Sequence, residues 1–472
     1  MSAVAQQPSL LSPITREDLG ELQLHLPALK VISYRGPGES GGVPASLEPI
    51  TRQLGTKIQW LALSGLPSSQ HRRVPGFTFH RPELPDALVE LHERACLEYL
   101  WPLLHGMPER AQFDSQSWRG FQQLSQSMAA AALRLPSPSY PTLCWIHDYQ
   151  MALVAPLIAH EAGSIPCHFW HVPWPAPQVM AGSPVAGEIV ESLLTNRLVG
   201  FHTTEYATNF LNSVQELLPE AVVDVLKMEV RVGRSTTRVI VMPLGLDFAY
   251  WQRLAKANRP RAAAIPKKFK LANQIILGID RLDYSKGVLE KLNGLAGFLE
   301  ENPGWHRRFH YVQLAQAPQA PSNDFADYVR RVEARVKEIN QKFHLDGWEP
   351  ILWLNGHLDQ SELAAWYQTA DVLAVTPVRD GLNLIAKEFV ACRQDEQGVL
   401  VLSRQAGCAD ELSLGALLVD PGDPKEIAQA IARALTMSFE EKHRRMLSMR
   451  HVVSWNQLHD WAGGFLRQAV RI

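Results

Sequence analysis

The sequence predicts an α/β protein in two domains, each a parallel sheet covered by helices, and three observations carry that prediction. Short apolar runs suited to strands alternate with amphipathic stretches, the order that builds parallel sheets with crossover helices. A chain of 472 residues exceeds one ordinary core, and 46% hydrophobic with 20% charged residues is a soluble globular balance. The rhythm breaks at Met242-Pro243-Leu244-Gly245-Leu246-Asp247, and the Arg, Lys, Ala and Pro-rich run 253–268 behind it reads as a surface crossing between domains. The boundary therefore falls near residue 248, with an N-terminal domain over 1–248 and a C-terminal domain over 249–454.

Strands are expected at 29–33, 58–63, 142–146, 168–171 and 198–201 in the first domain, and at 275–279, 310–314, 351–354, 372–375 and 399–402 in the second. The first strand runs into Gly36-Pro37-Gly38-Glu39-Ser40-Gly41, a literal GxGxxG and the best argument for a nicotinamide-dependent oxidoreductase. That fingerprint needs a helix opening on the glycines and an acid about 20 residues on, at the end of the next strand. Here Pro44 stands in the helix and the next strand ends at Ser64. The glycines make better sense as a mobile loop whose backbone closes over a phosphate or sugar, with Arg35 beside it. His147-Asp148-Tyr149 and His171 each end a strand, at the carboxyl edges where open α/β sheets bind ligands. A lone histidine in such a place is more often a structural hydrogen-bonding residue, so position alone does not assign these two.

The second domain carries two charged turns. Gly278-Ile279-Asp280-Arg281-Leu282-Asp283-Tyr284-Ser285-Lys286-Gly287 follows an apolar run, and its Arg281 and Lys286 can converge on one diphosphate, Arg as a planar fork and Lys as a point charge. In an isolated solvated loop Arg281 would pair with Asp283 instead. In the run 375–392, the strand ends at Pro377 and Asp380 with Gly381 starts a helix over 382–392, whose first-turn amides are a ready anion site. Glu388 lies eight residues beyond Asp380 and suits a cis-diol such as a ribose. Two such turns at strand-to-helix junctions read as the donor site of a glycosyltransferase that uses a sugar nucleotide.

Several classes are excluded. A formal net charge of −2 leaves no basic excess for a nucleic-acid backbone, and no polybasic run suits an anionic membrane surface. Cys96, Cys144, Cys167, Cys392 and Cys408 are scattered without a CxxC pair, which argues against a disulfide framework or structural zinc and for a reducing cytoplasm. Residues 1–13 lack a basic start and a long apolar core, and no apolar run is long enough to cross a bilayer. Small molecules are the expected partners; a homo-oligomer is left open.

Taken together, Arg35 with Gly41-Gly42, Trp101-Pro102-Leu103-Leu104-His105, Trp145-Ile146-His147-Asp148-Tyr149, His171-Val172-Pro173-Trp174-Pro175 and the two charged turns resemble the family of retaining glycosyltransferases that contains trehalose-6-phosphate synthase and glucosylglycerol-phosphate synthase. The resemblance runs from about Val31 to the C-terminus. It implies the GT-B architecture, two Rossmann-like domains facing across a deep cleft, with donor on the C-terminal domain and acceptor on the N-terminal one. It also implies a last helix, at about 455–472, that returns to the N-terminal domain on Trp455, Trp461 and Phe465. By carry-over, Arg35, His147, Asp148 and Tyr149 bind the acceptor, Asp148 through its hydroxyls. His171 meets the donor sugar near the anomeric centre, and Asp380 holds hydroxyls of the transferred glucose. Gly42, Arg281, Lys286, Gly381, Leu382, Asn383, Leu384 and Glu388 complete the donor site. The catalytic set is then His171, Asp148, Arg281, Lys286 and Asp380. The implied mechanism is front-face attack with retention, the leaving phosphate acting as base while Arg281, Lys286 and the amides at Leu382 to Leu384 stabilise the diphosphate. No metal or cofactor is required on that scheme, and magnesium enters at most as a stimulating ion.

Departures from the family pattern bear on the acceptor. Trehalose-6-phosphate synthases typically carry Tyr after the Trp-Pro-x-x-His turn and an acceptor-phosphate Arg after the strand at 310–314; this chain has Gly106 and Ser322. Loss of an Arg from a phosphate costs about 1.5–3 kcal/mol, one to two orders of magnitude in affinity. Arg110 and Arg119 lie in the diverged segment as replacements. The stretches 105–118 and 407–412 look closer to glucosylglycerol-phosphate synthase, so the expected reaction is glucose transfer from ADP-glucose to glycerol 3-phosphate, with trehalose-6-phosphate synthesis from glucose 6-phosphate as the alternative. A pseudo-glycosyltransferase joining cyclitols is disfavoured because Arg281, Lys286, Asp380 and Glu388 all remain. A non-catalytic binding module has no reason to keep cations and carboxylates on both sides of a cleft.

Overall fold

The structure, a computed structural model, describes residues 28–39, 41–54, 58–65, 71–137, 141–317, 323–356 and 358–471. Two sheets organise it. The first contains β1 (Ala28–Arg35), β2 (Ile58–Ser64), β3 (His71–Val74), β4 (Phe77–His80), β5 (Thr142–His147), β6 (Ser164–Phe169), β7 (Leu198–Phe201), β8 (Val222–Asp224), β9 (Glu229–Val232) and β10 (Ser235–Val241). Their spatial order is 3-4-2-1-5-6-7-10-9-8. Pairing is parallel from β4 through β10, with antiparallel additions of β3 at one edge and β9 and β8 at the other.

The second sheet contains β11 (Gln274–Arg281), β12 (Phe309–Gln316), β13 (Ile351–Asn355), β14 (Val372–Val375), β15 (Val399–Ser403) and β16 (Leu417–Val419), all parallel, in the order 13-12-11-14-15-16. That order reverses direction between β11 and β14, and the first sheet reverses between β1 and β5. At such switch points the crossover helices leave on opposite faces and open a crevice beyond the carboxyl ends of the strands. The motif residues Arg35 and Arg281 end, and Asp148 and Asp380 follow, strands that border one of these two crevices.

The ten expected strands are present, and four local expectations change. β6 ends at Phe169 rather than His171; Pro166 sits within it without breaking the pairing, because its carbonyl still accepts from Arg197 N–H at 2.9 Å. The run 253–268 is not an irregular crossing: it lies in the helices Phe248–Ala257 and Arg259–Lys268, the second with Pro260 in its first turn, where a missing N–H costs nothing. The helix after β14 starts at Leu384 rather than Leu382. The last helix spans Leu458–Arg471 and packs against β7 and the Gly42–Leu54 helix. Trp461 and Phe465 anchor it, with ring centroids 5.3 and 5.5 Å from Trp145, whereas Trp455 is 62% exposed and anchors nothing. All five cysteines are buried free thiols. No described helix is long and apolar enough to cross a membrane.

Candidate active site

The two charged turns of the second sheet are stitched together by backbone. Val378 N–H donates to Ser285 O at 2.8 Å, so the loops after β11 and β14 move as one piece. Within it, Arg281 donates to Asp283 at 2.7 and 2.9 Å. Burial works against the Arg281 charge, but Asp283 outweighs it and holds the guanidinium protonated. The pairing expected of a solvated loop is thus present, and it does not remove Arg281 from the cleft: its guanidinium lies 5.1 Å over the Trp101 ring of the facing lobe, and Lys286 Nζ lies 6.0 Å over the same ring. One indole fixes both cations.

Lys286 Nζ donates to Asp380 Oδ2 at 2.8 Å, and Asn383 Nδ2 donates to the same oxygen at 3.1 Å. Burial alone would raise the Asp380 carboxyl; the Lys286 charge and these hydrogen bonds overcome it and hold the group below the usual carboxylate range. Asn383, at φ 84, caps the following helix by accepting from Ala386 N–H at 3.2 Å. Of the amides expected to meet an anion, only that of Leu384 belongs to the helix, because the cap residue sets its start. Gly381 admits the other lobe: a Cβ there would stand 2.0 Å from the His171 carbonyl. Glu388 lies one turn into this helix, accepts from Tyr367 Oη at 2.7 Å, and is pushed up to about 7 by burial.

On the first sheet, Asp148 follows β5 with φ 68, a strained value for a residue with a side chain. Its Oδ1 accepts from the backbone N–H of Tyr149 at 3.0 Å and of His171 at 3.2 Å, so the carboxylate is locked in place. Burial exceeds these favourable contacts and lifts it to about 6. Behind it lies a chain of three histidines. Leu244 N–H donates to His202 Nδ1 at 3.3 Å, which leaves a neutral His202 to donate from Nε2 to His171 Nδ1 at 3.3 Å. His171 then donates from Nε2 to His147 Nδ1 at 3.1 Å, and the remaining Nε2 of His147 is buried without a partner among the described residues. Burial and the neighbouring imidazoles push His147 and His171 well below the ordinary histidine range, and burial holds His202 at about 3. The chain is therefore uncharged near neutrality, and both ring nitrogens of His171 are engaged inside it.

Between the two lobes opens a cavity of about 260 Å³. Arg35, Gly42, His147, Asp148, Tyr149 and His171 line it from the first lobe, Arg281 and Lys286 from the second. Burial and the nearby Arg281 charge both lower the Arg35 guanidinium, which means that two cations face one space. An anion between them relieves that repulsion. Gly42 also touches the second lobe, 3.4 Å from Leu384 Cδ1 measured from the place of a Cβ. Asp380, Gly381, Leu382, Asn383 and Glu388 do not line this cavity; they sit beyond Lys286, on the second-lobe side. A second cavity, also about 260 Å³, lies at the carboxyl ends of β12 and β13, walled by Leu314, Leu354, Leu358, Phe269 and Trp366. Its Trp366 comes from the Gln360–Thr369 helix that supplies Tyr367 to Glu388.

Of the replacement cations, Arg110 pairs with Asp324 at 3.2 Å and covers the Tyr284 ring at 4.7 Å, next to the cavity residue Phe325. Arg119 is exposed and bonds only to Ser115 O of its own helix among the described residues, so it takes no part. Ser322 lies outside the described residues. Sequence reasoning passed over His202, although it follows β7 as His171 follows β6; it also passed over Tyr34, Glu93 and Gln150, whose spacing carries no signal. Among the described residues no group of three or more His, Cys, Asp or Glu is arranged to hold a metal ion.

Comparison with known proteins places this geometry. A family model described as Glycosyltransferase family 20 matches residues 39–471. A bifunctional trehalose-6-phosphate synthase/phosphatase of Thermoproteus tenax is 35% identical over 424 residues, covering 86% of this chain and 57% of that protein, so the chain spans little more than half of that relative. The crystal structure of an alpha,alpha-trehalose-phosphate synthase (UDP-forming) from Burkholderia xenovorans in complex with glucose-6-phosphate superposes with TM-score 0.88 at 29% identity, over 94% of this chain and 99% of that one. An E. coli trehalose-6-phosphate structure bound with UDP-2-fluoro glucose gives 0.87 at 29% identity, over 94% and 99%.

Proposed function

The chain belongs to glycosyltransferase family 20, and on that basis we propose that it transfers glucose, with retention, from a nucleoside diphosphate glucose to the hydroxyl of a phosphorylated acceptor in the interlobe cavity. The observation that carries this reading is the convergence of Arg35, Arg281 and Lys286 on a space that also holds the locked Asp148 carboxylate. The glucose-6-phosphate complex of the UDP-forming Burkholderia xenovorans relative and the UDP-2-fluoro glucose complex of the E. coli one put glucose 6-phosphate ahead of glycerol 3-phosphate as acceptor, and UDP-glucose ahead of ADP-glucose as donor. The relatives thus favour the alternative drawn from the sequence over its first expectation.

On this reading the donor diphosphate lies against Arg281 and Lys286, whose positive charge compensates what develops on the leaving phosphate. Ribose hydroxyls meet Glu388, and the apolar wall of the second cavity takes the base. Retention through a protein nucleophile needs a carboxylate on the opposite face of the sugar, and on this reading Asp148 is taken up by the acceptor hydroxyl, with Oδ1 on two amides. Front-face attack fits instead: the acceptor hydroxyl, held by Asp148, passes its proton to the departing phosphate oxygen as the glycosidic bond breaks. The uncharged histidine chain keeps positive charge away from the oxocarbenium-like centre. No step calls for a metal, so activity in chelator is expected to be full.

One observation favours glycerol 3-phosphate as a second reading. Gly106 stands at φ 75, where a Tyr would be strained, so the backbone here does not suit the Tyr that trehalose-6-phosphate synthases typically carry after the Trp-Pro-x-x-His turn. The test is release of nucleoside diphosphate from UDP-, ADP- and GDP-glucose, each offered glucose 6-phosphate or glycerol 3-phosphate. Release dependent on either acceptor supports the transferase reading and chooses between the two. No acceptor-dependent release from any pair overturns it.

A further inference from the structure

The reaction scheme leaves part of the interlobe cavity unused. Beside the cations, the first lobe presents Tyr34, Glu93 and Gln150 to the same space. Glu93 Oε1 accepts from Tyr34 Oη at 2.5 Å, and no cation pairs with this carboxylate among the described residues; its neighbour Arg94 turns instead to Glu98 at 3.7 Å and Asp114 at 3.6 Å. The Tyr34 phenol is buried and bonded to a carboxylate, both of which raise it well above the ordinary tyrosine range, so it donates to Glu93 at any working pH. The Tyr34 ring stacks on His92 at 5.8 Å, His92 stacks on Phe121 at 4.8 Å, and His92 Nε2 meets Gln150 O at 2.9 Å. Glu93 and Gln150 are thus held on one rigid platform. Gln150 Oε1 is buried out of reach of the cavity, with no partner among the described residues.

Glu93 lines the cavity with no cation on it and with Oε1 taken by Tyr34, so among the described residues its other oxygen is open to a donor that a ligand brings. A hydroxyl brings such a donor; a phosphate brings negative charge and, near neutral pH, at most one proton. Arg35 and Arg281 make the opposite demand. The cavity is therefore polar in a directed sense, anionic on one side and cationic on the other.

Accepting the transferase reading, on which this rests, we propose that Glu93 is the acceptor-specificity residue: positioned by Tyr34, it accepts a hydrogen bond from a hydroxyl remote from the acceptor's phosphate, and its charge bars phosphate from that part of the cavity. The acceptor class that fits is a polyol or sugar monophosphate, bound with its phosphate toward Arg35 and Arg281 and a free hydroxyl toward Glu93. A single charge-assisted hydrogen bond of this kind corresponds to a roughly ten- to hundredfold change in affinity.

The experiment is calorimetric titration of glucose 6-phosphate and of glycerol 3-phosphate into the full chain with UDP present, for the wild type, Glu93→Gln and Tyr34→Phe, with UDP titrated separately. Glu93→Gln should weaken acceptor binding about ten- to hundredfold and leave UDP binding unchanged, and Tyr34→Phe should act in the same direction but less. Where Glu93→Gln does not fold, Glu93→Asp, which keeps the charge and shortens the reach, carries the same expectation. Acceptor affinity unchanged in the variant, equal loss of acceptor and UDP binding, or a wild type that binds neither acceptor would each overturn the proposal. Because binding is read without turnover, a chain that releases no nucleoside diphosphate yet loses acceptor affinity in Glu93→Gln refutes the transferase reading and leaves Glu93 as an acceptor contact. Release with unaltered acceptor binding does the reverse.

Discussion

Three carboxyl groups in the cleft differ because their neighbours differ. Asp380 has Lys286 at 2.8 Å and stays ionised, whereas Asp148 and Glu388 have backbone amides or a phenol and are lifted by burial to about 6 and about 7. Below its pKa each becomes a neutral acid and loses acceptor capacity for a substrate hydroxyl. The Michaelis constant for the acceptor should therefore rise as pH falls through about 6, and that for the donor as pH falls through about 7. Asp148→Asn and Glu388→Gln should each flatten only their own profile, which separates them from titration of the substrates' phosphates; one inflection shared by both constants would refute the assignment. The residue types of the two turns were legible because Arg281 and Lys286 lie five positions apart in a single loop. Glu93 was not, because its partner Tyr34 is 59 residues away and only the packed sheet and helix bring them together.

At the scale of elements, the closing helix is the clearest case of a fold decided by side-chain burial. Trp461 is 1% exposed, with its ring 5.3 Å from Trp145 and 5.0 Å from Phe169, so it ties the chain end to β5 and β6. Trp461→Ala should cost about 3–5 kcal/mol in denaturant unfolding, while Trp455→Ala stays within about 0.5 kcal/mol. Equal effects would mean that the helix is not held by this contact. Two aromatic residues six positions apart look alike in the sequence; only the fold distinguishes the one that meets a sheet from the one that ends a helix in solvent. The same holds for 253–268, where charge and proline suggested a surface crossing but alanine-rich helix propensity and a proline in the first turn prevail.

Across the whole molecule, two ion pairs among the described residues bridge the lobes, Arg110 with Asp324 and Arg379 with Glu205. Beside the second pair Tyr206 Oη donates to Asp380 O at 3.0 Å, so the lobes are in contact across the cleft. Half-exposed pairs contribute about 0–1 kcal/mol each. The double variant Arg110→Ala, Arg379→Ala should therefore shift the lobes severalfold toward an open state, visible as a larger radius of gyration in solution scattering that UDP-glucose restores. Scattering curves identical to the wild type would show that the pairs do not hold the lobes together. What the sequence by itself determined is the alternation of strand and helix, the two-sheet class and the chemistry of the turns after β11 and β14, because strand propensity, turn residues and charge spacing act over a few residues. Tertiary structure alone decided that both switch points face one cavity, that Trp101 of one lobe carries the cations of the other, that His171 is absorbed into a histidine chain and that Glu93 lines the same cavity. Strand order and burial set those outcomes, by fixing which distant side chains lose water together and must satisfy one another's charge and hydrogen bonds.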